Sequence, residues 1–365
     1  MDFSFDLRKW AEFNSTSPTV LTVFLETHHG ADLKFLHRKG KEIESLYHED
    51  RTIRENFLKA LRQVRKFCKE EELNNQGMCF FVDPSQDLFH TYELPRDVGN
   101  LVVLDTSPYI RPLAQLKEDW EPFGLVMMDH GQAHLYLVYL SHVQDEKELK
   151  TQLLAHQKNG GWSQGRYSRR RKNRIADFLR EVSRDLAGLL RKERVNRIIL
   201  AGSAEAKKQL VEYLPQDLQR KVVGFLDLTM DTDEKTLFEK SFPIFFAAEK
   251  VEENKMVLDL RDMIASRGLG VSGVEKVAQA VVAGRAEKIL VRADLKPKGW
   301  KCERCDVMEE GEADVCLLCE EKVYPVDLVE EIVEYAQKTD AEVIFLREGH
   351  PILDGMGGIG AFLRF

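Results

Sequence analysis

The sequence predicts an α/β protein of three mixed domains, the third interrupted by a small cysteine-held insertion. Three observations predict it. The chain has 365 residues, 43% of them hydrophobic, more than a single core usually organises. Short apolar, β-branched runs alternate with longer stretches whose apolar residues recur at helical spacing. Two Cys-x-x-Cys pairs stand ten residues apart where a strand–helix pattern is interrupted near the end of the chain.

The first domain is placed at 1–121. Its run at 19–25 reads as a strand, and 78–82 and 101–104 as two more. Between them, 50–71 carries Ile53, Phe57, Leu58, Leu61, Val64 and Phe67 at helical spacing. The second domain is placed at 122–253. Runs 123–128 and 133–138 read as a hairpin around Asp129-His-Gly-Gln132; Asp129 and His130 look like a catalytic pair but suit a turn better. A long helix follows, with Ile175, Phe178, Leu179, Val182, Leu186, Leu189 and Leu190 on one face. Then come a strand at 197–202, a helix capped by Ser203 and running to Tyr213, and a strand at 221–226. The third domain is placed at 254–365. It holds a helix capped at Ser272 and stopped by Gly284, a strand at 286–291, the cysteine insertion at 302–319, a helix at 326–338 that is acidic on one side, and a strand at 341–346. No repeat, low-complexity tract or long linker separates these regions.

The insertion reads Cys302-Glu-Arg-Cys305 and Cys316-Leu-Leu-Cys319. Two residues between cysteines let both thiolates reach one tetrahedral ion from a tight turn, and two such turns complete a four-sulfur shell. The pattern points to Zn2+ in a zinc ribbon, and four thiolates leave no open position for water, so the metal is expected to be structural. Glu309, Glu310, Glu312 and Asp314 make the insertion acidic, which suits a protein partner or simple stabilisation better than nucleic acid. Cys68 and Cys79 stand apart and read as reduced, buried thiols.

The stretch 158–171 reads Lys-Asn-Gly-Gly-Trp-Ser-Gln-Gly-Arg-Tyr-Ser-Arg-Arg-Arg. Gly160 and Gly161 give a loop tip the freedom to bend sharply or enter a tight space. Six of the ten residues from Gly165 to Arg174 are basic: Arg166, Arg169, Arg170, Arg171, Lys172 and Arg174. Residues 158–197 hold thirteen Lys or Arg against four Asp or Glu, on a chain of net charge −8. One basic patch on an acidic body suits a localised polyanion contact, RNA above all, although a solvated basic helix start has the same composition. At a helix N-terminus these cations gain nothing from the dipole, a small argument that they serve something outside the helix.

Other classes are disfavoured. No apolar run reaches the length of a membrane span. The opening Met1-Asp2-Phe3-Ser4-Phe5-Asp6 lacks a basic stretch followed by an apolar core, so the expected location is the cytoplasm. No clustered carboxylates suggest a two-metal nuclease.

Several of these segments together resemble the archaeo-eukaryotic class I peptide-chain release factor and Pelota superfamily, in its bacterial branch. Gly160-Gly-Trp-Ser-Gln-Gly-Arg-Tyr-Ser-Arg-Arg-Arg171 is similar, without a gap, to the family's Gly-Gly-Gln-Ser-x-x-Arg-Phe-x-Arg-x-Arg. Ile199-Leu-Ala-Gly-Ser203 is similar to its Leu-Ala-Gly-Ser, and Gly357-Gly-Ile-Gly-Ala-Phe-Leu-Arg364 to its Gly-Gly-Ile-Gly-Gly-Ile-Leu-Arg ending. The likeness covers 123–365 and is faint before that. It implies a transfer-RNA-like arrangement of the three domains, with the first in the decoding centre and the glycine loop in the peptidyl transferase centre. There Gly160, Gly161 and a glutamine would assist water attack on the ester of peptidyl-tRNA, and Trp162 and the basic residues would hold ribosomal RNA.

Two departures qualify that implication. Trp162 stands where the family has glutamine, and an indole lacks the amide's paired donor and acceptor but stacks on a base. Gln164, two positions later, is the alternative catalytic residue if Trp162 and Ser163 loop out. The family's codon-reading motifs, Asn-Ile-Lys-Ser and Tyr-x-Cys-x-x-x-Phe, do not occur. The resemblance therefore implies an A-site occupant that reads no codon, as in Pelota-like rescue or Balon-like hibernation factors, beside P-site tRNA. It also implies docking of a translational GTPase of the elongation factor Tu class on the third domain, for which the acidic side of helix 326–338 is a candidate.

Overall fold

In the computed structural model the described residues are all except 1–4, 28–29, 72, 74, 120–121, 140–141, 151–163, 192–194, 303 and 348; at 119, 142–150 and 164–168 the backbone alone is described. They form two compact units, Met1–Lys117 with Asp259–Phe365, and Glu118–Leu258.

The first unit begins with α1 (Leu7–Glu12), β1 (Val20–Glu26), α2 (Leu33–Leu46), α3 (Arg51–Glu70), β2 (Gly77–Asp83), β3 (Leu88–Leu94), β4 (Leu101–Asp105) and α4 (Arg111–Asp119). The strands make an antiparallel sheet in the order β3-β2-β1-β4. Its period-two alternation divides the side chains. Leu21, Val23 and Leu25 of β1 meet Phe57, Leu61 and Val64 of α3 on one face, while Phe24, Cys79 and Phe81 join Trp10 of α1 and Leu113 of α4 on the other. Asp50 caps α3 through Ile53 N–H at 3.0 Å, so the helix expected at 50–71 is present.

The second unit holds β5 (Phe123–Met128), β6 (Gln132–Tyr139), β7 (His142–Lys150), α5 (Gln164–Arg191), β8 (Arg197–Gly202), α6 (Ala204–Tyr213), α7 (Gln216–Arg220), β9 (Val222–Asp227) and most of α8 (Glu234–Ala265). The sheet order is β7-β6-β5-β8-β9, with β5, β8 and β9 parallel and β5-β6-β7 an antiparallel meander. Val126, Met128, Leu135 and Leu200 face α5 and α6; Phe123, Leu125, Met127 and Ile199 face Leu237 and Phe245 of α8. Gly202 ends β8 at φ +118, where a Cβ would come within 1.8 Å of the Met128 carbonyl oxygen, so no other residue fits. Ser203 then caps α6 as its sequence suggests, accepting from Ala206 N–H.

The first unit resumes with β10 (Gly270–Ser272), α9 (Val274–Val282), β11 (Ala286–Arg292), β12 (Lys298–Lys301), β13 (Met308–Glu310), β14 (Tyr324–Asp327), α10 (Leu328–Lys338), β15 (Glu342–Leu346), α11 (Pro351–Gly355) and β16 (Ile359–Leu363). A mixed sheet, β10-β16-β11-β15, carries α9 and α10, whose Val277, Val281, Val329, Ile332 and Val333 share one core with Trp10, Phe24 and Phe81. Two local expectations shift. Ser272 ends a strand and Gly273, at φ +87, precedes α9 without a side-chain cap. Val326 belongs to β14, and Asp327 caps α10 through the N–H of Val329 at 3.1 Å.

Candidate functional site

The basic stretch occupies the beginning of α5, and the helix is held from its far half. Phe178, Leu179, Val182, Leu186, Leu189 and Leu190 are buried against the sheet, whereas Arg169, Arg170, Lys172 and Arg174 are exposed and Arg171 is half-buried. The Nε of Arg171 is shielded from solvent and has no hydrogen-bond partner among the described residues. At about 100° per residue, positions 169, 170, 171, 172 and 174 point around the whole circumference rather than along one face. The local cost is real, since like charges three or four apart each oppose the helix by roughly 0.2–0.5 kcal/mol.

Gln164 is the first residue of α5, and Arg166 lies in its first turn. Gly160, Gly161 and Trp162 lie outside the described residues. The helix expected after the glycine pair is present from Gln164, and the basic residues 166–174 occupy its first three turns.

Asp129 and His130 form a turn. The Asp129 carboxylate accepts from the N–H groups of Gly131 at 2.6 Å and Gln132 at 2.8 Å, and His130 lies 3.5 Å from Glu205. Its acceptor capacity is committed to closing the β5-β6 hairpin.

The four insertion cysteines converge. Their sulfurs lie within 4.8 Å of one another, with Cys302 and Cys319 3.4 Å apart and Cys305 and Cys316 3.9 Å apart. Sulfurs about 2.3 Å from a central tetrahedral ion stand roughly 3.8 Å apart, so the spacing fits zinc. The two knuckles repeat one backbone pattern. Asp306 N–H donates to Cys302 C=O at 2.8 Å, and Glu320 N–H donates to Cys316 C=O at 2.9 Å. Asp306 and Glu320, each just after a second cysteine, both take positive φ, at 54° and 62°. The N–H groups of Leu318 and then Cys319 lower the Cys316 thiol, while the crowded sulfurs raise Cys305 and Cys319. Beneath them β12, β13 and β14 form a three-stranded antiparallel sheet. Cys68 and Cys79 are free; burial pushes Cys68 up to about 11 and Cys79 well above its ordinary value, so neither is reactive at neutral pH.

The acidic side of α10 is not an outer surface. Glu330, Glu331 and Glu334 are 7%, 7% and 3% exposed. Glu330 accepts from the N–H groups of Ile110 and Arg111, Glu331 pairs with Lys301 at 2.6 Å, and Glu334 accepts from Ser107 at 3.0 Å. The Arg111 guanidinium, 2% exposed, donates to Asp327 and to the carbonyls of Ala293 and Leu295. Glu330 and Glu334 join the two segments of the first unit, while Glu331 is neutralised within its own segment by Lys301. Nothing in the spacing of 326–338 distinguishes that role, because the partners of Glu330 and Glu334 at 107–111 lie some two hundred residues earlier.

The family described as Bacterial archaeo-eukaryotic release factor family 10 matches residues 108–242, and the one described as eRF1 domain 3 matches residues 250–365. Peptide chain release factor subunit 1 of Pyrococcus abyssi is 25% identical over 358 residues, covering 87% of this chain and 86% of that protein. The same factor of Archaeoglobus fulgidus is 27% identical over 285 residues, covering 72% and 70%. A solved structure of ribosome-bound archaeal Pelota and ABCE1 is similar at 20% identity, with a TM-score of 0.43, over 81% of this chain and 80% of that one.

Proposed function

Since this chain belongs to the archaeo-eukaryotic release factor and Pelota superfamily, in its bacterial branch, we propose that it is a translation factor that occupies the ribosomal A site without reading a stop codon, in rescue or hibernation. The observation that carries the proposal is the basic run near the beginning of α5, where Arg169, Arg170, Lys172 and Arg174 are exposed a few residues after the Gly160-Gly161 pair of the sequence. Such a cluster of like charges opposes the helix in water and is favoured beside phosphates. In this reading the three regions take a transfer-RNA-like arrangement, and Gly160 and Gly161 let the loop into the peptidyl transferase centre. Arg166, Arg169, Arg170, Arg171, Lys172 and Arg174 neutralise ribosomal RNA there, and Trp162 stacks on a base near P-site tRNA. Cys302, Cys305, Cys316 and Cys319 would hold a zinc ion, which when bound supplies a structural cross-link between the knuckles. Among the described residues no helix is long and apolar enough to cross a membrane, and the cytoplasm suits a ribosome-bound factor. A translational GTPase of the elongation factor Tu class would have to use some surface other than the acidic residues of α10, which are buried.

Sedimentation with purified 70S ribosomes tests the proposal. The chain is expected to co-migrate at moderate salt, and Arg169/Arg170/Arg171→Ala to remain at the top of the gradient. Co-migration that ignores the triple substitution contradicts it.

A second reading, peptide release, draws support from the position of Gln164 as the first helical residue after the loop. A backbone-lined loop with one glutamine amide can stabilise a developing oxyanion and orient water. This reading expects release of labelled peptide from stalled ribosomes, lost in Gln164→Ala and kept in Trp162→Phe. No release at any concentration of factor removes it.

A further inference from the structure

Between Cys316 and Cys319 stand Leu317 and Leu318, 82% and 75% exposed, with Val315 beside them at 50%. A Cys-x-x-Cys turn aims its two sulfurs inward, so the two residues between them face out. The first knuckle shows that the turn itself does not need leucine. It has the same backbone hydrogen bonds and the same positive φ after its second cysteine, yet the corresponding positions are Glu303 and Arg304. The fold leaves the two leucines unexplained, and exposing them costs solubility.

Their surroundings say what kind of surface would cover them. From Cys302 to Lys322 the chain has eight acidic side chains against Arg304 and Lys322. Glu310, Glu312, Asp314, Glu320 and Glu321 are exposed, and of these Glu321 pairs with Arg304 at 3.2 Å. An apolar tip within an acidic rim repels phosphate and matches a basic protein surface that carries an apolar pocket.

We infer that the second cysteine knuckle is a docking point for a basic ribosomal protein, with Leu317 and Leu318 as anchors and the acidic rim as its electrostatic match. The inference rests on ribosome binding as proposed above and adds a second, protein-directed contact to the RNA-directed one. An acidic rim is repelled by ribosomal RNA phosphate and attracted by basic protein. Each leucine removed is expected to weaken that contact by roughly tenfold.

The test uses the full chain carrying Leu317→p-benzoylphenylalanine, mixed with purified 70S ribosomes in the absence of any GTPase, irradiated, and sedimented. The expected result is a photo-adduct with a basic ribosomal protein, suppressed by Glu310→Lys/Glu312→Lys/Asp314→Lys and by Leu318→Ser, with thermal unfolding of those variants unchanged. Co-sedimentation with an adduct to ribosomal RNA only, to a second copy of the chain, or to nothing overturns this inference and leaves ribosome binding standing. Failure to co-sediment overturns both.

Discussion

The Glu330 carboxylate accepts a hydrogen bond at 2.5 Å from the backbone N–H of Ile110, a residue 220 positions earlier. A second bond, at 2.8 Å, comes from Arg111 N–H. Ile110 stands at the start of α4, where its carbonyl accepts the first helical bond from Ala114 and its own side chain offers no cap. Glu330 supplies that cap from the far end of the chain and so fastens the first sheet to the last. Glu330→Ala leaves two buried N–H groups unpaired, and is expected to destabilise the first unit by about 2 to 3 kcal/mol. Glu330→Gln, which keeps one acceptor, should cost less. The fluorescence of the buried Trp10 in denaturant reports both.

The neighbouring Glu331 makes the same unit pH-dependent. Burial raises its carboxyl to about 7, opposed by the Lys301 ammonium and assisted by Glu334 and Asp105. Between the ordinary carboxyl value and 7 the folded chain therefore holds a proton that the unfolded chain has released. Stability from this group is fully present below that window, falls as pH rises through it, and is level above 7. Glu331→Gln should remove on the order of 1 to 3 kcal/mol of the difference between pH 5 and pH 8. An unchanged difference would contradict this assignment.

Removing metal should loosen the ribbon and spare the sheets. Purified chain is expected to hold one zinc ion, lost in Cys316→Ser, because three thiolates cannot complete the shell. Hydrogen exchange should then accelerate at both knuckles and in β13, while β1 and β2 keep their protection. Met308 and Leu328 lie in the shared core, so a modest fall in Tm is expected, not unfolding of the unit.

Ribosome binding should depend on salt through the beginning of α5. Each phosphate contact contributes a slope of roughly −0.7 to −0.9 in the logarithm of affinity against that of salt. Arg169/Arg170/Arg171→Ala should flatten the measured slope by about two to three. Equal slopes for the two proteins would mean that these side chains stay solvated.

Much of this fold is legible in the sequence, and the exceptions have physical reasons. β1, β5, β8 and β11 are short apolar runs, and α3 and α5 carry one apolar stripe each, so periodicity finds them. β7 reads His-Val-Gln-Asp-Glu-Lys-Glu-Leu-Lys and is an edge strand, whose charges discourage further pairing and hide its identity. α8 escapes because Pro243 interrupts its pattern and no single stripe runs its length. The cysteine cluster is legible because its chemistry is local. The role of Glu330 is not, because its partners come from another part of the chain. The exposed Leu317 and Leu318 had a signal, two leucines in an acidic loop, that a search for metal ligands passes over.

The most direct measurement is an electron-microscopy map of the chain on a 70S ribosome with deacylated or peptidyl P-site tRNA. It should show density for 160–162 inside the peptidyl transferase centre, with the first turns of α5 ringed by ribosomal RNA phosphates. A bound factor whose α5 start faces solvent, or whose glycine loop lies outside the large subunit's reaction chamber, would contradict the account.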